Sequence, residues 1–255
     1  MISYIQSLPI ELGLPAVVGA GVLLSAAGTL VANAIFTPEE LIENNVVGGF
    51  KYAFLAQIVA ALLAFSLVDS GTRFVSFQLK SDRELAAVSL MQNLRQYMPA
   101  DAGRLRTAEN TYLGTVVQDE WLTMRDGKAS LETTRALEIW YDTMLSTRIQ
   151  TDQEKIALSQ YLRLFSQVVE ARTSRVSDSY SPFENLIWLS MGAAVLITIS
   201  FNWFFGSYSL ATQLAMGTLL TAGVMMLVYL SVVLASPIKS PIGISPAEYV
   251  KLLET

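Results

Sequence analysis

The chain has 255 residues, of which 52% are hydrophobic and 15% are charged, whereas a typical soluble domain has about 25% charged residues. It contains no Cys and no His, which excludes disulfides, thiolate or imidazole metal sites and Ser-His-Asp triads. The net charge of −5 argues against a nucleic-acid partner.

Four apolar segments are long enough to cross a bilayer core of about 30 Å as helices. In chain order they are Leu14–Phe36, Phe50–Val68, Leu186–Phe205 and Leu210–Ala235. The charged residue within them is Lys51, which lies in the first turn of its span, where its ammonium group can reach the interface. The sequence therefore predicts an integral membrane protein with four helical spans.

The basic residues predict the orientation. All 17 Lys and Arg except Lys51, Lys239 and Lys251 lie between residues 73 and 175. Cytoplasmic segments of membrane proteins are enriched in Lys and Arg, so we expect the N-terminus, the central block and the C-terminus on the cytoplasmic side. The predicted parts are an N-terminal segment (1–13), spans one and two (14–69), a helical cytoplasmic domain (70–182), spans three and four (183–235) and a tail (236–255).

The pattern Ser/Thr-Pro-x-Glu occurs three times and predicts a capping box with Pro at the first helical position. We expect these motifs to start a short external helix, the third span and a C-terminal helix. In chain order they are Thr37-Pro38-Glu39-Glu40, Ser181-Pro182-Phe183-Glu184 and Ser245-Pro246-Ala247-Glu248. Their glutamates are interpreted mainly as caps, although Glu39, Glu40 and Glu43 also give the external face a negative cluster.

The block from residue 70 to 182 is predicted to be helical, with breaks at Pro99, Gly127 and Thr151. The expected helices are Thr72–Tyr97, Ala102–Arg125, Ser130–Thr147 and Gln153–Ser177, the first of which continues the second span. In the last helix an apolar stripe predicts a core or partner-helix face; it consists of Leu158, Leu162, Phe165 and Val169. The block has 14 acidic and 14 basic residues, which we interpret as solvated faces and inter-helix pairs.

No enzyme signature is present, since the sequence contains no Gly-rich phosphate loop, no G-x-S-x-G and no metal-spaced carboxylate set. We therefore expect neither catalysis nor a cofactor nor a metal. Asp119 and Glu120 are neighbours in sequence and point to different sides of a helix. They are interpreted as a surface pair beside a buried Trp121.

Small residues predict close helix packing within the membrane. The first span has Gly21, Ser25, Gly28 and Ala32 on one face, which permits the close approach of another helix. The second span has Ala53, Ala56, Ala60 and Ala64, and the fourth has Gly217, Thr221 and Gly223. Both tight intramolecular packing and self-association are compatible with this pattern.

A bulky apolar stripe follows one side of the second span, with ionisable residues at its ends. It consists of Lys51, Phe54, Ile58, Leu62, Phe65 and Asp69. One interpretation is a face against lipid or another helix, with interfacial anchors. The other is the wall of an oligomeric pore whose apolar rings gate by dewetting.

The order of the segments and three motifs resemble the bestrophin-like family of bacterial membrane proteins over nearly the whole chain. The motifs are Glu43-Asn44-Asn45-Val46-Val47-Gly48-Gly49-Phe50, Asp119-Glu120-Trp121-Leu122-Thr123-Met124 and Ser236-Pro237-Ile238-Lys239-Ser240-Pro241-Ile242-Gly243-Ile244-Ser245-Pro246. The resemblance implies an all-α fold with four transmembrane helices and an inserted cytoplasmic domain. It also implies location in the bacterial inner membrane.

Bestrophins are homopentameric ion channels whose second span lines the pore, with three bulky apolar residues forming a neck. The resemblance implies that Phe54, Ile58 and Leu62 form this neck here. Animal bestrophins also have an acidic calcium-binding run after the fourth span, but the equivalent stretch 241–244 contains no acid, so calcium gating is not implied. We expect a homopentameric channel in the lipid bilayer; the alternative is a non-catalytic accessory subunit docked onto a larger membrane complex.

Overall fold

The computed structural model describes residues 8–179 and 184–254, and its regular structure is helical throughout that part of the chain, without strands. The helices are α1 (Ile10–Ile35), α2 (Pro38–Leu94), α3 (Ala102–Thr115), α4 (Leu131–Leu145), α5 (Asp152–Asp178), α6 (Glu184–Asn202), α7 (Leu210–Leu234) and α8 (Ala247–Leu253). A 3₁₀ turn, Arg95–Tyr97, follows α2, and short π and 3₁₀ segments extend α3 to Asp126. The predicted all-α fold is confirmed.

The chain divides into two compact units. The first, which we call the apolar unit, comprises Met1–Thr72 and Pro182–Ile242, and the second, the charged unit, comprises Arg73–Ser181 and Gly243–Thr255. Among the described residues, three helices are long and apolar enough to cross a membrane, namely Ile10–Ile35, Pro38–Tyr97 and Leu210–Leu234. The apolar stretch Leu186–Asn202 is shorter.

Helix α2 is one continuous helix of 57 residues, so the prediction of a separate short external helix before the second span is wrong. The helix starts with a capping box in which the Thr37 N–H donates to Glu40 Oε2 (2.8 Å) and the Glu40 N–H donates to Thr37 Oγ1 (3.3 Å). After Pro38 no further proline interrupts it. Glycines 48 and 49 destabilise a helix by about 1 kcal/mol each, which is too little to break it.

The other two capping motifs have different outcomes. The motif at residues 181–184 lies outside the described residues apart from the backbone of its last position. At the third motif the predicted capping box is not formed. The Ser245 hydroxyl accepts from the Ala247 N–H (3.5 Å), but Glu248 accepts from Lys251 (2.5 Å) instead of reaching back to the cap.

The apolar unit is held together by one hydrophobic core between α2, α6 and α7. Its buried members are Val59, Leu63, Trp188, Met191, Val195, Ile199 and Val232. Helix α1 packs against α7 and the end of α6 through its small residues: a Cβ on Gly21 would lie 2.5 Å from Met225 Cγ on α7, and a Cβ on Gly28 would lie 2.0 Å from the ring of Trp203, which follows α6. Larger side chains at these positions would separate the helices.

Helix α5 packs its buried face at the centre of the charged unit, and this face differs from the predicted stripe. Phe165 is buried, but Leu158, Leu162 and Val169 are only half-buried. The buried positions are Ala157, Tyr161, Leu164, Phe165, Val168, Ala171, Arg172 and Arg175. The buried stripe lies one position closer to the N-terminus than the predicted one. Two arginines, Arg172 and Arg175, complete its buried face.

Candidate pore-lining face and buried charge network

Helix α2 turns one narrow face toward the core of the apolar unit. Val59, Leu63, Ser66 and Ser70 are buried, at spacings of four, three and four residues. With 100° of rotation per residue, these positions lie within about 60° of each other around the helix. Among the described residues, most of the opposite side of α2 is exposed.

The predicted pore-lining stripe lies on the exposed part of α2. Phe54 and Phe65 are 69% and 75% exposed, and the two residues between them, Ile58 and Leu62, are 44% and 48% exposed. At 1.5 Å per residue, Phe54 and Leu62 are about 12 Å apart along the helix axis. Four bulky apolar side chains thus form a continuous surface that the chain itself leaves uncovered.

The ionisable ends of the stripe lie where the sequence suggests. Lys51 is exposed and Asp69 is half-buried, and the rise of the helix separates them by about 27 Å, close to the thickness of a bilayer core. Glu39, Glu40 and Glu43 are exposed in the first two turns of the same helix. The Glu40 carboxylate accepts a hydrogen bond in the helix cap. Glu39 and Glu43 are therefore the two residues of this acidic cluster that lie outside the cap.

Asn45 fixes the start of α2 to the loop between α6 and α7. Its amide donates to the Gly206 carbonyl (2.9 Å) and accepts from the Gly206 N–H (3.1 Å). A Cβ on Gly206 would lie 2.5 Å from Leu41 Cβ, so glycine permits this close approach. The sequence contains Asn45 within a family motif, but its spacing alone does not identify the distant partner.

A second cluster, in the charged unit, is a buried network of two arginines and two glutamates. Arg175 donates to Glu84 through Nε (2.8 Å) and to Glu120 through Nη2 (3.1 Å). Arg172 donates to Glu120 through Nε (2.9 Å). Glu84, Glu120 and Arg175 are fully buried, so each charge depends on its partners for the solvation that water would provide.

The prediction of a surface pair at residues 119 and 120 is wrong for Glu120, which lies inside this network. The chain here forms a π-helical segment, Val116–Glu120, which rotates the following residues relative to a regular α-helix. Asp119 is half-buried and accepts from the Ser130 hydroxyl at the start of α4. Trp121 is buried, as expected.

Two aromatic residues, Trp121 and Tyr249, pack against Arg175 of this network. The Arg175 guanidinium lies 5.2 Å from the Trp121 ring centroid and 5.6 Å from that of Tyr249 on α8, distances typical of cation–π interactions. The Trp121 indole donates to the Ile244 carbonyl (3.3 Å). Burial, together with the nearby Glu84 charge, raises the pKa of Tyr249 well above its usual value. The tail is therefore attached to the charged unit through these contacts.

The buried network consists of hydrogen-bonded ion pairs. The guanidinium groups hold the carboxylates by direct hydrogen bonds, and neither cluster pairs a nucleophile with a base. Among the described residues, no group of three or more acidic side chains is arranged to hold a metal ion. The exposed stripe of α2 is an apolar surface that suits contact with lipid or with another protein.

The fold is that of an all-helical membrane protein. A crystal structure described as that of a membrane protein superposes with a TM-score of 0.68, covering 93% of this chain and 96% of the other at 15% identity; at this identity the likeness concerns the fold alone. The bestrophin-like domain matches residues 19–249. The chain belongs to the bestrophin-like family, which confirms the resemblance found in the sequence. A search among curated proteins gave no significant match.

Proposed function

We propose that the chain forms a homopentameric, non-catalytic ion channel of the bacterial inner membrane, in which α2 of each copy lines a central pore. The observation that carries the proposal is the uncovered stripe of α2, because its four bulky apolar residues are exposed while another face of the same helix packs in the core. Membership of the bestrophin-like family supports the same arrangement.

The proposed neck consists of Phe54, Ile58 and Leu62. These residues are spaced one turn apart, so five copies would form three rings about 6 Å apart along the pore. Apolar rings of this kind can close a pore to ions by excluding water from the constriction. Lys51 lies before the neck and Asp69 beyond it, and the acidic residues 39, 40 and 43 flank the same mouth as Lys51.

The proposed topology has α1, α2, α6 and α7 crossing the membrane, with both termini and the charged unit in the cytoplasm. Helix α6 has 19 residues and is about 28 Å long, which is close to the thickness of the bilayer core. The basic residues between 73 and 175 support the orientation through the positive-inside rule. A reporter fused after Thr255 should therefore read as cytoplasmic.

The neck is tested by substitution in the protein reconstituted into planar bilayers. Ile58→Ser and Leu62→Ser should each increase the conductance of the unstimulated channel, because a hydroxyl favours wetting of the constriction. Leu219→Ser is the matched control, since Leu219 is 74% exposed on α7 and outside the proposed pore. Equal currents in all three variants and the unmodified protein would contradict the proposed lining.

The alternative function, an accessory subunit of a larger membrane complex, is favoured by exposed apolar residues on the charged unit. Leu131 and Ile156 are 75% and 65% exposed, and docking of the charged unit onto another protein would cover such apolar side chains. Native mass spectrometry of the detergent-extracted protein separates the two functions. A homopentamer supports the channel, whereas one copy bound to foreign subunits supports the accessory role.

A further inference from the structure

The three fully buried glutamates of the charged unit differ in the donors that stabilise their charge. Glu84 and Glu120 each accept hydrogen bonds from guanidinium groups. In the described part of the chain, the hydrogen bond to Glu109 comes from a neutral group, the Tyr161 hydroxyl. A neighbouring guanidinium favours the ionised carboxylate by its charge as well as by its hydrogen bonds, so the hydrogen bonding of Glu109 favours its anion less than that of Glu84 and Glu120 does.

The surroundings of Glu109 are aromatic and dry. The Tyr161 hydroxyl that donates to Glu109 also accepts from the Trp140 indole (3.0 Å). All three residues have 0% exposure. The hydroxyl is thus held in place by residues of α4 and α5, and the carboxylate is shielded from bulk water.

The positive partner of Glu109 is held by charge rather than by an aligned hydrogen bond. Arg95 Nη1 lies 3.1 Å from Glu109 Oε2, yet neither atom has an aligned hydrogen-bond partner among the described residues. The Arg95 Nε donates weakly to the Gln92 carbonyl (3.3 Å). Arg95 is the first residue of the 3₁₀ turn Arg95–Tyr97, which leads from α2 toward α3. Arg95 therefore adds to the link between this turn and α3 through the negative charge of one carboxylate.

The direction of the pKa shift of Glu109 agrees with this geometry. Burial raises the pKa of Glu109 to about 7, while the Tyr161 hydrogen bond and the charges of Arg95 and Arg106 act in the lowering direction. Tyr161 faces the carboxyl from α5, Arg95 from the 3₁₀ turn and Arg106 from α3 itself. Trp140, from α4, has no charge to contribute.

We propose that Glu109 is a proton-binding site of the charged unit, and that binding of a proton releases Arg95 and loosens the Arg95–Tyr97 turn. The step transfers one proton from water to a Glu109 carboxylate oxygen, so the carboxylate becomes a neutral acid. Arg95 keeps its charge, because a guanidinium is not deprotonated in proteins, and it then gains more from solvation by water than from a neutral neighbour. The site is independent of whether the chain conducts ions.

Infrared difference spectroscopy of the full chain in lipid nanodiscs tests proton binding directly. The carbonyl stretching band of a buried protonated carboxyl should grow as the pH falls through about 7, and Glu109→Gln should lack it. Glu132→Gln is the matched control, since Glu132 is an exposed glutamate whose side chain is 62% exposed, and it should keep the band. The same titration in the unmodified protein and in Glu109→Gln would overturn the proposal.

A second variant tests the role of Arg95 and keeps the proposal testable if Glu109→Gln fails to fold. Arg95→Gln removes the positive charge that favours the carboxylate, so the midpoint of the band should rise by about one pH unit. An unchanged or lower midpoint would refute the coupling.

Hydrogen exchange of residues 95–97 provides the structural readout. Corrected for intrinsic rates, exchange in the unmodified protein should become faster on acidification through neutrality. Glu109→Gln should exchange rapidly on both sides of neutral pH, because its side chain is always neutral. A pH-independent rate in the unmodified protein would contradict the loosening of the turn.

Discussion

Replacing Arg175 should unfold the charged unit at a markedly lower temperature. Arg175→Met keeps a long flexible side chain but removes the guanidinium that binds Glu84 (2.8 and 3.2 Å) and Glu120 (3.1 Å). Both carboxylates are fully buried, and removing one partner of a buried ion pair destabilises proteins by about 3–5 kcal/mol. For a chain of this size, this loss corresponds to a decrease in Tm of about 10 °C.

The assay is thermal unfolding of the detergent-solubilised full chain, followed by circular dichroism in the near ultraviolet. Arg135→Met is the matched control, because Arg135 forms a surface pair with Glu132 (2.6 Å) in which both side chains are more than 60% exposed. Surface pairs contribute about 0–1 kcal/mol, so the control should melt within about 3 °C of the unmodified protein. Equal Tm values for the two variants would refute the argument that the network depends on Arg175.

Three further predictions concern other contacts. Gly28→Ala should destabilise the detergent-solubilised chain by about 1–3 kcal/mol through overpacking, because its Cβ would lie 2.0 Å from an indole ring. Gly19→Ala, with nothing within 4 Å of its Cβ, should instead stabilise the chain by up to about 1 kcal/mol in the same melting assay. Asn45→Ala should destabilise the chain by about 1–3 kcal/mol, because the Gly206 carbonyl loses the Asn45 amide as its donor while the Gly206 N–H keeps its bond to the Leu41 carbonyl; the neighbouring Asn44→Ala, at an exposed position, should leave stability unchanged. Since the pKa of Glu109 is raised from 4.5 to about 7, the folded state binds this proton more tightly than the unfolded state, so stability should fall by about 3 kcal/mol as the pH rises through that interval. Denaturant titrations at several pH values would show this slope, and Glu109→Gln should abolish it.

Local sequence signals predicted the helices of the charged unit closely. The predicted boundary at Gly127 corresponds to a residue with φ of 70°, a left-handed conformation that favours glycine. The predicted break at Thr151 corresponds to a capping box between Thr151 and Glu154. Both features are encoded within four residues of the boundary, so a single sequence reveals them.

Features that depend on distant residues were not predicted. Glu120 was interpreted as one of a surface pair with Asp119 beside a buried Trp121, but its partners Arg172 and Arg175 are about 50 residues away. A signal was available in α5, where the two arginines continue an apolar face that includes Tyr161 and Val168. Arginines on the buried side of an amphipathic helix indicate buried acidic partners, because an unpaired buried charge is too unfavourable.

The distribution of residue types around α2 supports the proposed pore. Counted from the buried Val59, the alanines at 53, 60 and 64 lie about 120° away to one side, and the bulky stripe centred on Ile58 and Leu62 lies about 100° away to the other. The three alanines are exposed in the single chain, as is the stripe. Within a membrane, apolar surface alone does not select a helix partner, and close packing relies on small residues, as the contacts of Gly21 and Gly28 show.

Of the two uncovered faces of α2, the alanine face is therefore the one suited to packing against another copy. In that arrangement the bulky stripe would face the central pore of the proposed oligomer. A helix in a ring around a pore needs these three faces, one for its own chain, one for the neighbouring copy and one for the lumen. Substituting Ala60 with Leu should accordingly weaken the oligomer without exposing the core, whereas Ile58→Ser should alter conductance and leave the oligomer intact, and native mass spectrometry of the two variants would separate these roles.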